Sequence, residues 1–483
     1  MGSFEELPVD ITFNIIEWLN DDTRSLCDLR LVSKSFNRLA TCFLFSNFSF
    51  TPSNDDLEKC HSLISESLMQ KTSVFIPTRE LHIKMGIWWD PFEEELAKPW
   101  FELWNVMLPT MTNLRILEPL FILFPIGVCS WGYWLPQSCP PELVNGFLKS
   151  LGSLKSLTDL TISFHSDHPT PTLSLEPISG LKRLSIRWCL YRGLGKELIE
   201  QIASLLARCP DLEVFEFSLD IQISSYRNIK PAITLKELFE GLHMRGAPLK
   251  LRRLKTRGVV VYPEDFLTHL PHLKSLEQLE VVLDPSPTAS DYMGEICAIL
   301  RREGIHIQAF STSTLHHPEI IRYLSSFNTL NRFSLQSFDQ LDDSLALIDR
   351  FFSTLTRHHR SLKMLRLDVN RKSPWPQALK SHLQKEAGLY RSLHSLCSRV
   401  YVSQEEIISD NTRPLHTWLD IASTLPSLRH LECPYVSYKT GSYYFKRDSD
   451  DLIERRAHSP CIHGFVQKIV VNGSKEAESV NRP

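Results

Sequence analysis

The 483-residue chain lacks the usual marks of catalysis. It has no G-x-x-x-x-G-K-[ST] loop, no G-x-G-x-x-G, no H-E-x-x-H and no G-x-S-x-G, so the common devices for holding phosphate, zinc or an acyl intermediate are missing. Its eleven cysteines include no C-x-x-C pair, which argues against a zinc module or a disulfide framework. Their unpaired use fits a reducing compartment, the cytosol or the nucleus. Cys189 and Cys209 read as repeat positions rather than nucleophiles. His316-His317 and His358-His359 are sequence neighbours and do not share a helix face, so no metal or cofactor is expected. No uninterrupted apolar run is long enough to span a bilayer. Residues 119–141 carry no charge, but five prolines break them into a buried strand and an irregular insertion. A net charge of −3 and a pI near 6.7 give no general attraction to nucleic acid. No signal peptide is read at the acidic amino terminus, and Glu6 breaks the myristoylation pattern begun by Gly2.

What is present begins with three short helices in residues 7–43. Pro8 suits a first helical turn, and Ile11, Ile15, Ile16 and Leu19 recur at helical spacing. Asn20, Asp21, Asp22 and Thr23 break that helix and offer caps for the next, whose stripe is Leu26, Leu29 and Val32. Ser33 or Ser35 can cap a third helix carrying Phe36, Leu39, Ala40 and Phe43. The first helix, with Phe13 and Trp18 added, is apolar on more than one face. A unit of about 40 residues rarely builds a sufficient core alone. The excess must be covered by the rest of the chain, as a helical cap, or by another protein.

Leu7-Pro8-x-Asp10-Ile11, the aliphatics at 15, 16 and 19, and Leu29-Arg30-x-Val32-Ser33-Lys34-Ser35-Phe36 resemble the F-box motif. Phe36 stands where that family often has tryptophan, and Ser35 where it often has a second basic residue. The resemblance implies a module at residues 4–47 that docks on the Skp-type adaptor of a ubiquitin ligase and, through it, on a cullin. The residues it points to are Leu7, Pro8, Ile11, Ile15, Ile16, Leu19, Leu29, Val32, Lys34 and Phe36.

Beyond the helices the chain is repetitive. Leu181-x-x-Leu184-x-Ile186-x-x-Cys189 leads into a helical stretch through Leu198, Ile202, Leu205 and Leu206, then Cys209-Pro210 and a new strand at Leu212-x-x-Phe215-x-Phe217. Leu362-x-x-Leu365-x-Leu367-x-x-Asn370 is the same device. Weaker copies start at Leu157, Leu251, Leu276, Leu330 and Leu428, with a strand expected at 305–310. Intervals of about 24 to 39 residues indicate an irregular leucine-rich array. Leucines at the first, fourth and sixth places turn inward, and neighbouring repeats must stack to bury them. An F-box followed by such repeats is similar to the F-box/leucine-rich-repeat family.

The expected fold is α/β: a three-helix F-box, then an irregular leucine-rich-repeat solenoid with a curved parallel sheet inside and helices outside. A linker helix is expected over 48–75, the array over 76–434 with an aromatic-rich insertion at 86–141, and a cap and disordered tail over 435–483. Between the inward leucines, Arg187, Glu216, Lys255, Arg257, Glu280, Gln336, Arg366 and Asp368 are expected on the strand face, where solenoids bind partners. Trp88 and Trp89 belong to a tryptophan-rich stretch that either packs the junction or grips a target. The family resemblance implies a non-catalytic substrate receptor, with an unidentified protein target, no nucleic acid and no membrane. The alternative is an adaptor-bound scaffold that does not direct degradation.

Overall fold

Alternation along a strand places the fourth and sixth residues of each repeat on one side, and the turn before it re-aims the first to join them. The computed structural model describes residues 8–19, 22–50, 58–59, 61–62, 75–83, 94–123, 141–166, 174–190, 196–221, 233–244, 247–282, 287–315, 317–336, 344–368, 374–398 and 425–432. They fall in two units: Met1–Leu251 with Pro271–Leu273, and Arg252–Leu270 with Lys274–Pro483.

The first unit opens with helices α1 (Val9–Trp18), α2 (Thr23–Leu29) and α3 (Lys34–Leu44). Strands β1 (Asn47–Phe50), β2 (Glu80–Ile83), β3 (Ile116–Leu123), β4 (Asp159–Ser166), β5 (Arg183–Leu190) and β6 (Val214–Ile221) then pair in chain order, all parallel. Between them lie α4 (Glu94–Met107), α5 (Pro141–Gly152) and α6 (Lys196–Ala207), and β7 (Ile233–Thr234) leads into α7 (Leu235–Phe239). Leu157, Leu160 and Ile162, then Leu181, Leu184 and Ile186, then Leu212, Phe215 and Phe217 are all buried. These are the first, fourth and sixth places of three successive repeats.

Two boundaries differ from expectation. The sheet begins at Asn47, so β1 replaces the start of the expected linker helix. Within the expected insertion at 86–141, α4 forms and the expected buried strand is β3, which starts earlier, at Ile116, and joins the array by pairing with both β2 and β4. Leu114 and Leu117 are buried as first and fourth residues. Behind them Pro119, which has no N–H, sits where the register shifts between Leu117 and Leu120. That irregularity hid the repeat. Trp104 is buried edge-on to Phe147, ring centroids 6.2 Å apart, so this tryptophan packs the repeat. Trp88 and Trp89 lie outside the described residues, as does the region 435–483.

The second unit has β8 (Arg253–Arg257), β9 (Val259–Val260), α8 (Pro263–Thr268), and the first residue of α9 (Leu270–Leu273). Then β10 (Gln278–Val282), α10 (Pro287–Arg302), β11 (Ala309–Thr312), α11 (Pro318–Leu324), β12 (Arg332–Gln336), α12 (Leu345–Thr356), β13 (Met364–Asp368), α13 (Trp375–Glu386), β14 (Ser395–Ser398) and β15 (His430–Glu432) follow. Its sheet is parallel in the order β8-β10-β11-β12-β13-β14-β15. The strand expected at 305–310 forms four residues later. Tyr323 explains the offset: its buried hydroxyl donates to the Ile305 carbonyl and accepts from the Ile307 amide, both at 2.9 Å, which holds those residues as a turn. Burial pushes the Tyr323 hydroxyl up, so it remains a donor.

His358 ties two repeats together in the same way. Its Nε2 donates to the Leu324 carbonyl at 2.9 Å, while its Nδ1 accepts from the Leu330 amide at 3.3 Å. Only the neutral ring makes both bonds. Burial holds its pKa below the ordinary 6.5, and burial does the same to His382. The unfolded chain therefore takes up these protons first, so stability is complete above pH 6.5 and is lost as pH falls below it. Each histidine contributes at most about 1.4 kcal/mol per pH unit in that window. Denaturant unfolding at neutral and mildly acidic pH should show this loss, and His358→Gln should shrink it without abolishing the share from His382.

Candidate functional site

Caps set the angles among the three amino-terminal helices. Asp22 accepts from the Ser25 amide at 3.1 Å and the Ser25 hydroxyl at 2.6 Å, which starts α2 and holds the carboxyl below its usual range. Ser33, rather than Ser35, caps α3 by accepting from the Phe36 amide at 3.3 Å. Arg30 joins the end of α2 to α3 through its Nε bond to Asn37 Oδ1 at 3.0 Å. Inside, Ile16, Leu26, Phe36 and Ala40 form a buried cluster, with Leu19, Leu29, Leu39, Phe43 and Leu44 packed against it.

Helix α1 carries two stripes, each at i, i+4, i+7 and about 100° apart. Thr12, Ile16 and Leu19 turn inward, with the Thr12 hydroxyl donating to the Pro8 carbonyl at 3.3 Å. Ile11, Ile15 and Trp18 turn outward: Ile11 is 46% exposed and Trp18 89%, with Ile15 half-buried. The outward stripe is the more apolar of the two, since the inward one includes Thr12. In the turn between α2 and α3, Leu31 is 86% exposed and Val32 66%. Of the ten large hydrophobic residues exposed among the described ones, four therefore lie within 22 positions of each other. Such a concentration marks a face that is normally covered.

The residues expected at an adaptor contact thus divide. Pro8, Ile11, Val32 and Lys34 are exposed, Ile15, Leu19 and Leu29 are half-buried, and Leu7 lies outside the described residues. Ile16 and Phe36 are corrected: both are enclosed in the three-helix core, where they hold the helices together instead of meeting a partner. Trp18 and Leu31 share the exposed apolar face with Ile11 and Val32, although neither is among the residues that the resemblance points to. Helical spacing from Ile11 and Ile15 was the signal for Trp18, whereas Leu31 sits in a turn with no period to announce it.

On the strand faces, the sheet register brings some of the expected target residues together. In the first unit Arg187 is exposed and Glu216 half-buried on the adjacent strand. In the second, Lys255 and Glu280 are register partners joined by a 3.0 Å ion pair, and Arg257 is half-buried on the same strand as Lys255. Gln336 donates to the Ser334 hydroxyl at 3.4 Å. Arg366 lies 3.7 Å from Asp368. Asp368 is another correction: it ends β13 as a buried residue instead of facing solvent. The two faces hold mixed, largely neutralised charge.

Among the described residues no three His, Cys, Asp or Glu side chains converge as metal ligands. No helix among them is long and apolar enough to cross a membrane. Cys297 is fully enclosed and burial raises its pKa, which disfavours the nucleophilic thiolate.

Comparison with known proteins yields one family. No curated protein matches the chain. A solved structure of a Bacteroides fragilis protein aligns at 12% identity over 58% of this chain and 63% of its own length, with a TM-score of 0.29, too low to indicate a shared fold. The chain thus spans under two thirds of that protein. The family model described as F-box-like matches residues 4–51. That interval contains the capped three-helix core, the outward stripe of α1 and the exposed turn at Leu31 and Val32; residues 4–51 are an F-box-like domain.

Proposed function

We propose that this chain is the substrate-recognition subunit of a Skp–cullin–F-box ubiquitin ligase. The observation that carries the proposal is the outward apolar stripe of α1 with the Leu31-Val32 turn, on a helical unit whose core is already filled without them. Ile11, Ile15, Trp18, Leu31 and Val32 supply the contact with a Skp-type adaptor, and Pro8 and Lys34 border it. Covering such a side chain is worth about 1.5–3 kcal/mol, so a few of them hold an adaptor without help from the repeats. The strand-and-helix array acts as a leucine-rich-repeat receptor for a protein target in the cytosol or nucleus. Function is positioning: one chain holds target and ligase together and raises the effective concentration of target lysines near the ubiquitin-charged enzyme. No residue of this chain performs the transfer.

Ile11→Asp, Trp18→Ala and Val32→Asp should each weaken adaptor capture by about ten-fold or more while leaving the unfolding transition in place. Ile16→Ala should instead lower the stability of the helical unit by about 2–5 kcal/mol, because it opens a cavity in the core. Equal adaptor capture by all three surface variants would exclude this face as the contact.

Deleting residues 4–51 should lengthen the lifetime of the proteins that co-purify with the chain, as followed by pulse–chase. An unchanged lifetime would select the scaffold alternative.

A further inference from the structure

The strand-entry edge of the second unit changes character along the sheet. At its start charges are matched: Arg252 forks onto Glu277 with bonds of 3.0 and 2.9 Å, and Gln308 accepts from Asn331 at 3.2 Å one step on. Beyond Asn331 the matching stops. Lys363, His394 and Arg429 follow at the same place, the residue just before β13, β14 and β15, and Arg360 and Arg391 stand three residues before Lys363 and His394. Backbone bonds fix the stack: the Lys363 carbonyl accepts from the His394 and Ser395 amides, and the His394 carbonyl from those of Arg429 and His430. Adjacent strands lie about 4.8 Å apart, so the backbone brings these residues close together along one edge.

Arg360, Lys363, Arg391 and Arg429 are exposed and, among the described residues, form no ion pair. Residues 357–367, 389–398 and 425–431 contain no aspartate or glutamate at all. Like charges on neighbouring strands oppose folding, and three strands earlier a single glutamate removes that opposition. An edge that keeps its repulsion is shaped for something other than stability. We propose that this edge is the docking surface for an acidic segment of a protein partner, carboxylate-rich or phosphorylated; the proposal builds on the receptor role above. A protein segment suits the edge better than nucleic acid. Tyr390 is the one Phe, Tyr or Trp residue in the three stretches and it is buried, so they offer no exposed Phe, Tyr or Trp face for base stacking. An extended peptide, by contrast, presents carboxylates on alternate residues at a pitch that long Lys and Arg side chains follow.

The test uses the full chain and a fluorescein-labelled peptide alternating glutamate with serine, alongside its serine-phosphorylated form, followed by anisotropy. Both peptides should bind, more weakly as salt rises. The triple variant Lys363→Gln/Arg391→Gln/Arg429→Gln should weaken binding by about ten-fold or more, with a melting temperature equal to or above that of the parent. Arg252→Gln, at the matched start of the edge, should leave affinity unchanged. Absence of binding, equal binding by the triple variant, or tighter binding of a single-stranded oligonucleotide at the same residues would overturn the proposal. Adaptor capture measured on the same preparations separates the two ideas. Peptide binding lost with the adaptor retained sinks this surface alone, while the reverse sinks the ligase role and leaves the surface standing.

Discussion

One carbonyl per repeat holds the array in register. The Ser46 carbonyl accepts from the amides of both Arg79 and Glu80, that of Arg79 from Arg115 and Ile116, and that of Arg115 from Thr158 and Asp159. The series continues through Thr158 and Lys182 in the first unit. In the second it runs independently through Arg252, Glu277, Gln308, Asn331, Lys363 and His394. Each link fixes where the next strand starts, and a slip of one residue would send every inward leucine to the opposite face. The inward hydrophobic positions are therefore usable only because this ladder aligns them, one repeat upon the next.

Side chains reinforce the ladder at the turns. Ser156 donates to the carbonyls of Thr112 and Leu114, and Ser361 to those of Asn328 and Leu330, all between 2.7 and 3.0 Å. Arg208 spans to the Leu175 and Ile178 carbonyls of the preceding turn. These bonds satisfy carbonyls that a tight turn would otherwise leave buried without donors. They also explain why repeats of unequal length keep one register: extra residues are accommodated between strand and helix, while the turn that receives the next strand is stapled.

Much of this was legible in the residues. Leu181-x-x-Leu184-x-Ile186 and its relatives announce strand, core and stacking together, because period 2 within a strand and a fixed turn leave little else for three leucines to do. The repeat at Leu393-x-x-Leu396 was missed because Ser398, a buried serine, stands in its sixth place. Ser-Leu-x-x-Leu, seen at Ser156, Ser275, Ser361, Ser392 and Ser427, would have found it, since the serine belongs to the turn staple and not to the core. In the helical domain the excess of apolar surface was legible, but its direction was not. Both stripes of α1 share the same spacing, and the inward one contains a threonine whose hydroxyl is satisfied by its own helix. Hydrophobicity alone would have buried the wrong stripe, and small Ala40 opposite Ile16 decides the matter only once α3 is in place.

The two surfaces assigned here depart from folding logic in opposite ways. Along α1 the chain exposes apolar side chains that its own core has no room for, and along the edge of the last three strands it gathers cations that no carboxylate among the described residues offsets. Neither arrangement contributes to the stability of the unit that carries it, and one substitution in either would relieve the conflict. An apolar face is indifferent to salt and is covered by shape, whereas a cationic edge acts at longer range and is weakened by salt. A chain that must hold a constant partner firmly and a second partner reversibly requires that pair of properties, because the firm contact has to persist through many cycles of the reversible one.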